Sequence, residues 1–156
     1  MATTSAGLLL FRRAPDGGFE VLLGHMGGPF WARKDEGAWT VLKGELEPGE
    51  EPHAAAVREV GEELGLALAP GDDIDLGEVR QKSGKRVLVW AREADVEPAA
   101  VRSNTIEIEW PPRSGRRLEI PEIDRVAWFE PDAARRLVVS AQAAFVDRLA
   151  SSLRTP

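Results

Sequence analysis

Gly44-Glu45-Leu46-Glu47-Pro48-Gly49-Glu50-Glu51-Pro52-His53-Ala54-Ala55-Ala56-Val57-Arg58-Glu59-Val60-Gly61-Glu62-Glu63-Leu64-Gly65-Leu66 is the stretch from which the rest of the chain is read. It predicts a helix over 52–64. Pro52 suits the first helical position, where its missing N–H is not needed. The alanines that follow are strong helix formers, and Gly65 can take the left-handed conformation that ends a helix. On this helix Glu59, Glu62 and Glu63 are spaced i, i+3, i+4 and share one face. Residues 45 to 63 hold seven acidic side chains and one basic one, Arg58. Like charges at i, i+4 repel. The face is therefore either a solvated acidic surface or the seat of a hard divalent cation, which takes oxygen ligands and would relieve the repulsion.

The spacing as a whole decides between these readings. Gly44, Glu50, Arg58, Glu59, Val60, Glu62, Glu63, Gly65 and Leu66 meet all nine constrained positions over 23 residues of a pattern that resembles the Nudix box. The resemblance implies an enzyme that hydrolyses a nucleoside diphosphate linked to another group. It implies Mg²⁺, with Mn²⁺ as the alternative, and metal ligands at Glu59, Glu62, Glu63 and the carbonyl of Gly44. One of these carboxylates would also orient the attacking water. Arg58 braces a carboxylate in the family; the plainer reading is an i, i+4 surface pair with Glu62. Glu50 would support the site from the preceding loop.

Bulk properties narrow the class. A chain of 156 residues is expected to form a single domain over 1–156, with room for a real core. No apolar run approaches 18 residues, so no membrane span is expected, and Gly7–Phe11 is too short for a secretory signal. The chain has no cysteine, which excludes disulfides, thiolate metal sites and thiol nucleophiles and fits a cytoplasmic protein. It also has no tyrosine, so no phenolic acid is available. A net charge of −6 argues against a general nucleic-acid binder. Residues 1–78 carry a net −9 and residues 79–156 a net +3. That split suits metal on one side and phosphate on the other, and is equally compatible with chance.

Outward from the box, Ala6–Arg12 reads as a buried strand, Asp16-Gly17-Gly18 as a turn, and Phe19–Gly24 as the returning strand. Ala38–Lys43 reads as one short strand leading into Gly44. Further strands are expected at Asp75–Gln81, Arg86–Glu93, Thr105–Trp110 and Ile123–Phe129. Helices are expected at Ala133–Leu137 and after Ser140, which reads as the cap of a C-terminal amphipathic helix. This is an α+β chain with a mixed sheet, and the resemblance implies an α/β/α sandwich.

Several residues outside the box are candidates. Glu122, six residues before Trp128, matches a family segment whose Glu helps bind metal or acts as general base; Glu119, Glu107 and Glu109 are alternatives. Lys43 is a candidate phosphate contact or a plain surface lysine. Arg113, Arg116 and Arg117 form a basic loop suited to bidentate phosphate contact, or simply a solvated run; Arg12, Arg33 and Lys34 stand in the same position. Trp31 and Trp39 could stack on a base or pack in the core. His25 and His53 are isolated and carry no assigned role.

The stretch from Gly27 to Trp128 is also similar to one bacterial group in that family, the predicted NTP pyrophosphohydrolases. The expected activity is Mg²⁺-dependent hydrolysis of a diphosphate linkage, with a dinucleoside polyphosphate or nucleoside triphosphate favoured and ADP-ribose or a nucleotide sugar possible. Catalysis would fall to Glu63, Glu59, Glu62, Arg58 and Glu122, and substrate contact to Lys43, Arg113, Arg116 and Trp39. The partner would be a small nucleotide, with a homodimer possible. Two other classes compete. A non-catalytic nucleotide sensor would be expected to lack box carboxylates or to carry an appended DNA-binding domain. A diphosphate isomerase would need a protonating Cys or its equivalent.

Overall fold

The computed structural model describes residues 3–154. Strand β1 (Thr4–Arg13) lies at the centre and is buried from Ser5 to Phe11. Its apolar residues run without polar interruption because both faces are covered. It pairs in parallel with β6 (Arg86–Glu93), from Thr4 opposite Arg86 to Phe11 opposite Glu93, and β6 pairs antiparallel with β5 (Ile74–Arg80). On the other side β1 meets β2 (Phe19–Met26) only at Phe11–Arg13. β2 in turn pairs with β9 (Ile123–Phe129).

The segment expected as one strand over Ala38–Lys43 is two. β3 (Trp39–Thr40) pairs with β2, and β4 (Leu42–Glu45) pairs with β1. The chain changes partner at Val41, because β1 and β2 no longer pair with each other there. The switch leaves the Val41 N–H without a ladder partner. The buried Gln142 side chain supplies one, accepting that N–H at 2.8 Å, which satisfies a donor that would otherwise be costly to bury.

Side chains alternate cleanly across β1. Ala6, Leu8 and Leu10 join Ala55, Ala56, Val60 and Leu64 of α1 (Pro52–Leu64). Leu9 and Phe11 join Ala134 and Leu137 of α2 (Pro131–Leu137) and Phe145, Val146 and Leu149 of α3 (Ala143–Arg154). This is the expected α/β/α sandwich with a mixed sheet. Helix α1 ends as the sequence indicates. The Glu51 carboxylate accepts the Ala54 N–H, Pro52 opens the helix, and Gly65 closes it at φ 65°.

Two expectations change. Ser140 does not cap α3: Ser140–Gln142 is a 3₁₀ turn that leads directly into Ala143. And β8 (Arg117–Pro121) was not anticipated. It pairs with β7 (Thr105–Glu109) as a separate two-stranded hairpin off the main sheet, with Ile106 opposite Ile120 and Ile108 opposite Leu118. Among the described residues no helix is long and apolar enough to cross a membrane.

Candidate active site

Three elements converge beside the C-terminal end of α1. Glu63 projects from its last turn and is only 3% exposed. Lys43 comes from β4, half-buried. Glu122 occupies the turn between β8 and β9, where its N–H donates to the Asn104 carbonyl and its carbonyl accepts from Gly27, both at 3.0 Å. The three line one cavity of about 380 Å³, which reaches outward past Trp31, Phe30 and the isoleucines of the β7–β8 hairpin.

Charge is poorly compensated there. Burial, a hydrogen bond with Glu122, and the negative charge of Glu122 and Glu59 together push the Glu63 carboxyl up to about 9, with Lys43 opposing. The close Glu63–Glu122 pair therefore holds a proton more strongly than an isolated carboxyl does. Burial, assisted by Lys85, lowers the Lys43 ammonium to about 8, with Glu122 and Glu63 opposing. Burial also raises Glu59; Arg58 offsets part of this, while Glu62 and Glu122 add to it.

Behind the carboxylates stands Arg58. Its Nε and Nη2 donate to the two oxygens of Glu50 at 2.8 and 2.9 Å, a bidentate fork. Nη2 is also 3.0 Å from Glu59, and Nη1 is 3.2 Å from Glu62. One guanidinium thus holds three box glutamates. The hydrogen bonds that Arg58 donates to Glu50 raise Arg58 above its already high value and lower Glu50 in turn. The Glu59 carboxylate lies directly against Gly44, so that a Cβ at Gly44 would overlap it. Only glycine permits this approach.

These residues fit a divalent cation. The donor set is all oxygen, as Mg²⁺ and Mn²⁺ favour. Glu59, Glu63 and Glu122 repel one another across a buried space with Lys43 as the nearby cation. Among the described residues, however, no three or more His, Cys, Asp or Glu side chains are already drawn together as a metal cage.

A family model described as the NUDIX domain matches residues 1–149. The chain belongs to the Nudix family. No curated protein matches it. Among solved structures it resembles the C. elegans Ap4A hydrolase, at 22% identity and TM-score 0.64, with 98% of this chain and 99% of that one covered. It also resembles a Nudix hydrolase from M. smegmatis, RenU, at 26% identity and TM-score 0.60, covering 99% and 88%. A third likeness is the NUDIX domain of Shewanella oneidensis NrtR complexed with ADP ribose, at 13% identity and TM-score 0.61, covering 98% and 89%. Membership in the Nudix family carries the activity class, a pyrophosphohydrolase acting on nucleotides.

The Nudix box residues do not all lie in the cavity. Glu63 lines it, with Glu122 and Lys43 from outside the box. Glu59 sits against Gly44, and Glu62 faces outward with its side chain 54% exposed, held by Arg58. Arg113 and Arg116 are exposed beyond the hairpin and line no part of the cavity. Trp39, expected as a stacking platform, is instead a core residue. It is 3% exposed, its ring lies edge-on to His25 and Phe129, and its indole N–H donates to Asp35 at 2.8 Å. Position decides this: Trp39 is on a strand inside the core facing α2 and α3, whereas Trp31, on a loop, packs against the edge of that core and also lines the cavity. The sequence reading missed Phe30, Met26 and the isoleucine wall of the hairpin. The alternation of Ile106 and Ile108 was visible, but without β8 it had no cavity to face.

Proposed function

We propose that the protein hydrolyses a diphosphate linkage in a nucleoside diphosphate derivative, with Mg²⁺ or Mn²⁺ bound at the box carboxylates. The observation that carries this reading is Glu63, buried beside Glu122 and Lys43 on the wall of a nucleotide-sized cavity. A nucleoside triphosphate or dinucleoside polyphosphate is the favoured substrate. Lys43 supports this choice, since its ammonium on the cavity floor is suited to a phosphate-rich chain.

Glu59, Glu62, Glu63 and Glu122 and the Gly44 carbonyl would hold the cation. When bound, it supplies Lewis acidity and neutralising charge at the phosphate oxygens. The chain does the rest. Arg58 and Glu50 keep Glu59 and Glu62 oriented. Glu63 or Glu122 is the carboxylate placed to accept the proton of the attacking water. The water attacks phosphorus in line with the leaving bridging oxygen, whose charge Lys43 balances.

The test is phosphate release, after a coupled phosphatase or pyrophosphatase step, across a nucleotide panel with Mg²⁺, Mn²⁺ or EDTA. Turnover of one class, abolished by EDTA, is expected. No turnover of any compound, together with metal-dependent nucleotide binding, would make the protein a sensor instead.

A further inference from the structure

Glu63 and Glu122 reach the cavity from distant parts of the chain, and their carboxyls come within hydrogen-bond reach of each other. The loop 101–104, which leads into β7, runs between the two segments and bonds to both. On the α1 side, the Arg102 N–H donates to the Leu64 carbonyl at 2.8 Å. Gly65 lies so close to this loop that a Cβ there would overlap the Arg102 carbonyl. On the other side, the Asn104 carbonyl accepts the Glu122 N–H at 3.0 Å, and the Ser103 hydroxyl oxygen accepts the Ile123 N–H at 3.1 Å. The pairing of β2 with β9 is irregular at this point, between His25 and Met26. The loop therefore anchors the backbone that carries Glu122 where the ladder is locally disrupted.

Ser103 supplies the side chain of this clasp. Its Oγ takes the Ile123 N–H, donates to the Asn104 carbonyl at 3.0 Å, and stands 3.5 Å from Oε2 of Glu63. A hydroxyl has one proton to donate and two lone pairs. Here the proton goes to Asn104, and at 3.5 Å the contact with Glu63 is weak. Rotation about the C–O bond is enough to turn the same proton toward Glu63. One small side chain thus touches both of the segments that carry the acids. A serine that only closed its own loop would need Ile123 and Asn104, and no carboxylate within reach.

We infer that Ser103 is a positioning residue, whose hydroxyl fixes the Glu122 turn against the end of α1 and so sets the spacing of Glu63 and Glu122. The inference rests on the reading of those two acids as metal ligands and proton acceptor. Side chains that orient metal ligands in this way are worth about 10- to 100-fold in metal affinity or activity.

The experiment compares the wild type with Ser103→Ala and Ser103→Thr. Steady-state hydrolysis of ATP and of diadenosine tetraphosphate is measured with Mg²⁺, and Mn²⁺ binding is measured separately by calorimetric titration without nucleotide. Ser103→Ala empties a half-buried position that water can refill, so the variant should fold, as thermal melting will show. It should lower kcat by about tenfold and leave KM within about twofold, the split expected of an interaction that matters to the transition state and not to substrate binding. The Mn²⁺ Kd should rise by about tenfold. Ser103→Thr keeps the oxygen, and the cavity of about 310 Å³ that Ser103 lines together with Pro98 and Arg125 leaves room for the added methyl group. It should return kcat and the Mn²⁺ Kd to within about twofold of the wild type. A Ser103→Ala variant with both quantities within about twofold of the wild type would overturn the inference. So would a Ser103→Thr variant as impaired as Ser103→Ala, since the hydroxyl would then not be what matters. A wild type that hydrolyses neither compound tells against the hydrolase reading instead. The Mn²⁺ titrations then decide the role of Ser103: a raised Kd in Ser103→Ala that Ser103→Thr restores upholds it, and an unchanged Kd refutes it.

Discussion

Asp73 and Glu63 are two carboxyls with little exposed side-chain surface whose pKa values are shifted in opposite directions. The Asp73 side chain is 4% exposed, and Glu63 as a residue 3%. Burial alone would raise the Asp73 carboxyl. Hydrogen bonds from Arg92, at 2.7 and 2.8 Å, and from His53, at 2.5 Å, outweigh that and hold it below the usual range. Glu63 meets burial with Glu122 and Glu59 for company, and it is pushed up to about 9. The first arrangement is complete. Arg92 is itself buried, His53 rests against Trp90, and the cluster ties the start of α1 to β6. The second has Lys43 as a partial counter-charge but no guanidinium fork of its own, and it opens onto a cavity. A buried acid with its partners in place is part of the frame, whereas a buried acid surrounded by other acids marks where a cation and substrate would sit.

The comparison breaks most readily at Asp73. Asp73→Asn leaves Arg92 buried with its charge uncompensated, which costs about 3–5 kcal/mol. Thermal unfolding should show a loss of about 2–4 °C for each kcal/mol in a chain of this size. Turnover per folded molecule should stay near wild type. Glu63→Gln should do the reverse. It should lower kcat by about a hundredfold or more, and yet stabilise the metal-free protein at pH 8.

The pH sign follows from the raised pKa. A carboxyl that titrates at about 9 when folded, against an ordinary value of 4.5, contributes its stability at low pH and loses it as pH rises through that window. The metal-free wild type should therefore lose stability between about pH 4.5 and about pH 9 along a slope that Glu63→Gln flattens. Calorimetric scans in the presence of EDTA measure this directly.

Arg58→Ala comes next in size. It frees Glu50, Glu59 and Glu62 from their common anchor, and Mn²⁺ affinity measured by titration should fall about tenfold. Arg113→Ala with Arg116→Ala should matter least, with kcat/KM within about twofold of wild type and stability within about 0.5 kcal/mol, because both side chains are exposed and away from the cavity. A large loss of kcat/KM there would mean that the hairpin closes over the phosphate chain.

Much of the functional end was legible because it is local. Pro52, Gly65 and the i, i+3, i+4 glutamates specify helix and acidic face within one short continuous segment, and the bounds of α1 follow directly. Strands β6 and β9 were equally clear, being apolar runs between turn signals. What escaped depends on contacts between distant segments. Asp73 and Arg92 are 19 residues apart, and nothing local distinguishes Asp73 from Asp72. Gln142 matters only because β3 and β4 change partner at Val41, about a hundred residues earlier. Trp31 and Trp39 look alike as sequence, and only the sheet decides that one faces α2 and α3 while the other faces the cavity. Strand β8 was hidden by the basic run before it, since its alternation of Leu118 and Ile120 is short and ends at Pro121.

Binding of a cation is expected to drive a proton off the Glu63–Glu122 pair. Calorimetric titration of Mn²⁺ into the protein at pH 7.5, repeated in buffers of different ionisation enthalpy, counts the protons expelled on binding. The account predicts release of about one proton per metal in the wild type and none in Glu63→Gln, since a carboxyl must ionise to become a ligand. Metal binding with no proton release, or the same release from Glu63→Gln, would contradict it.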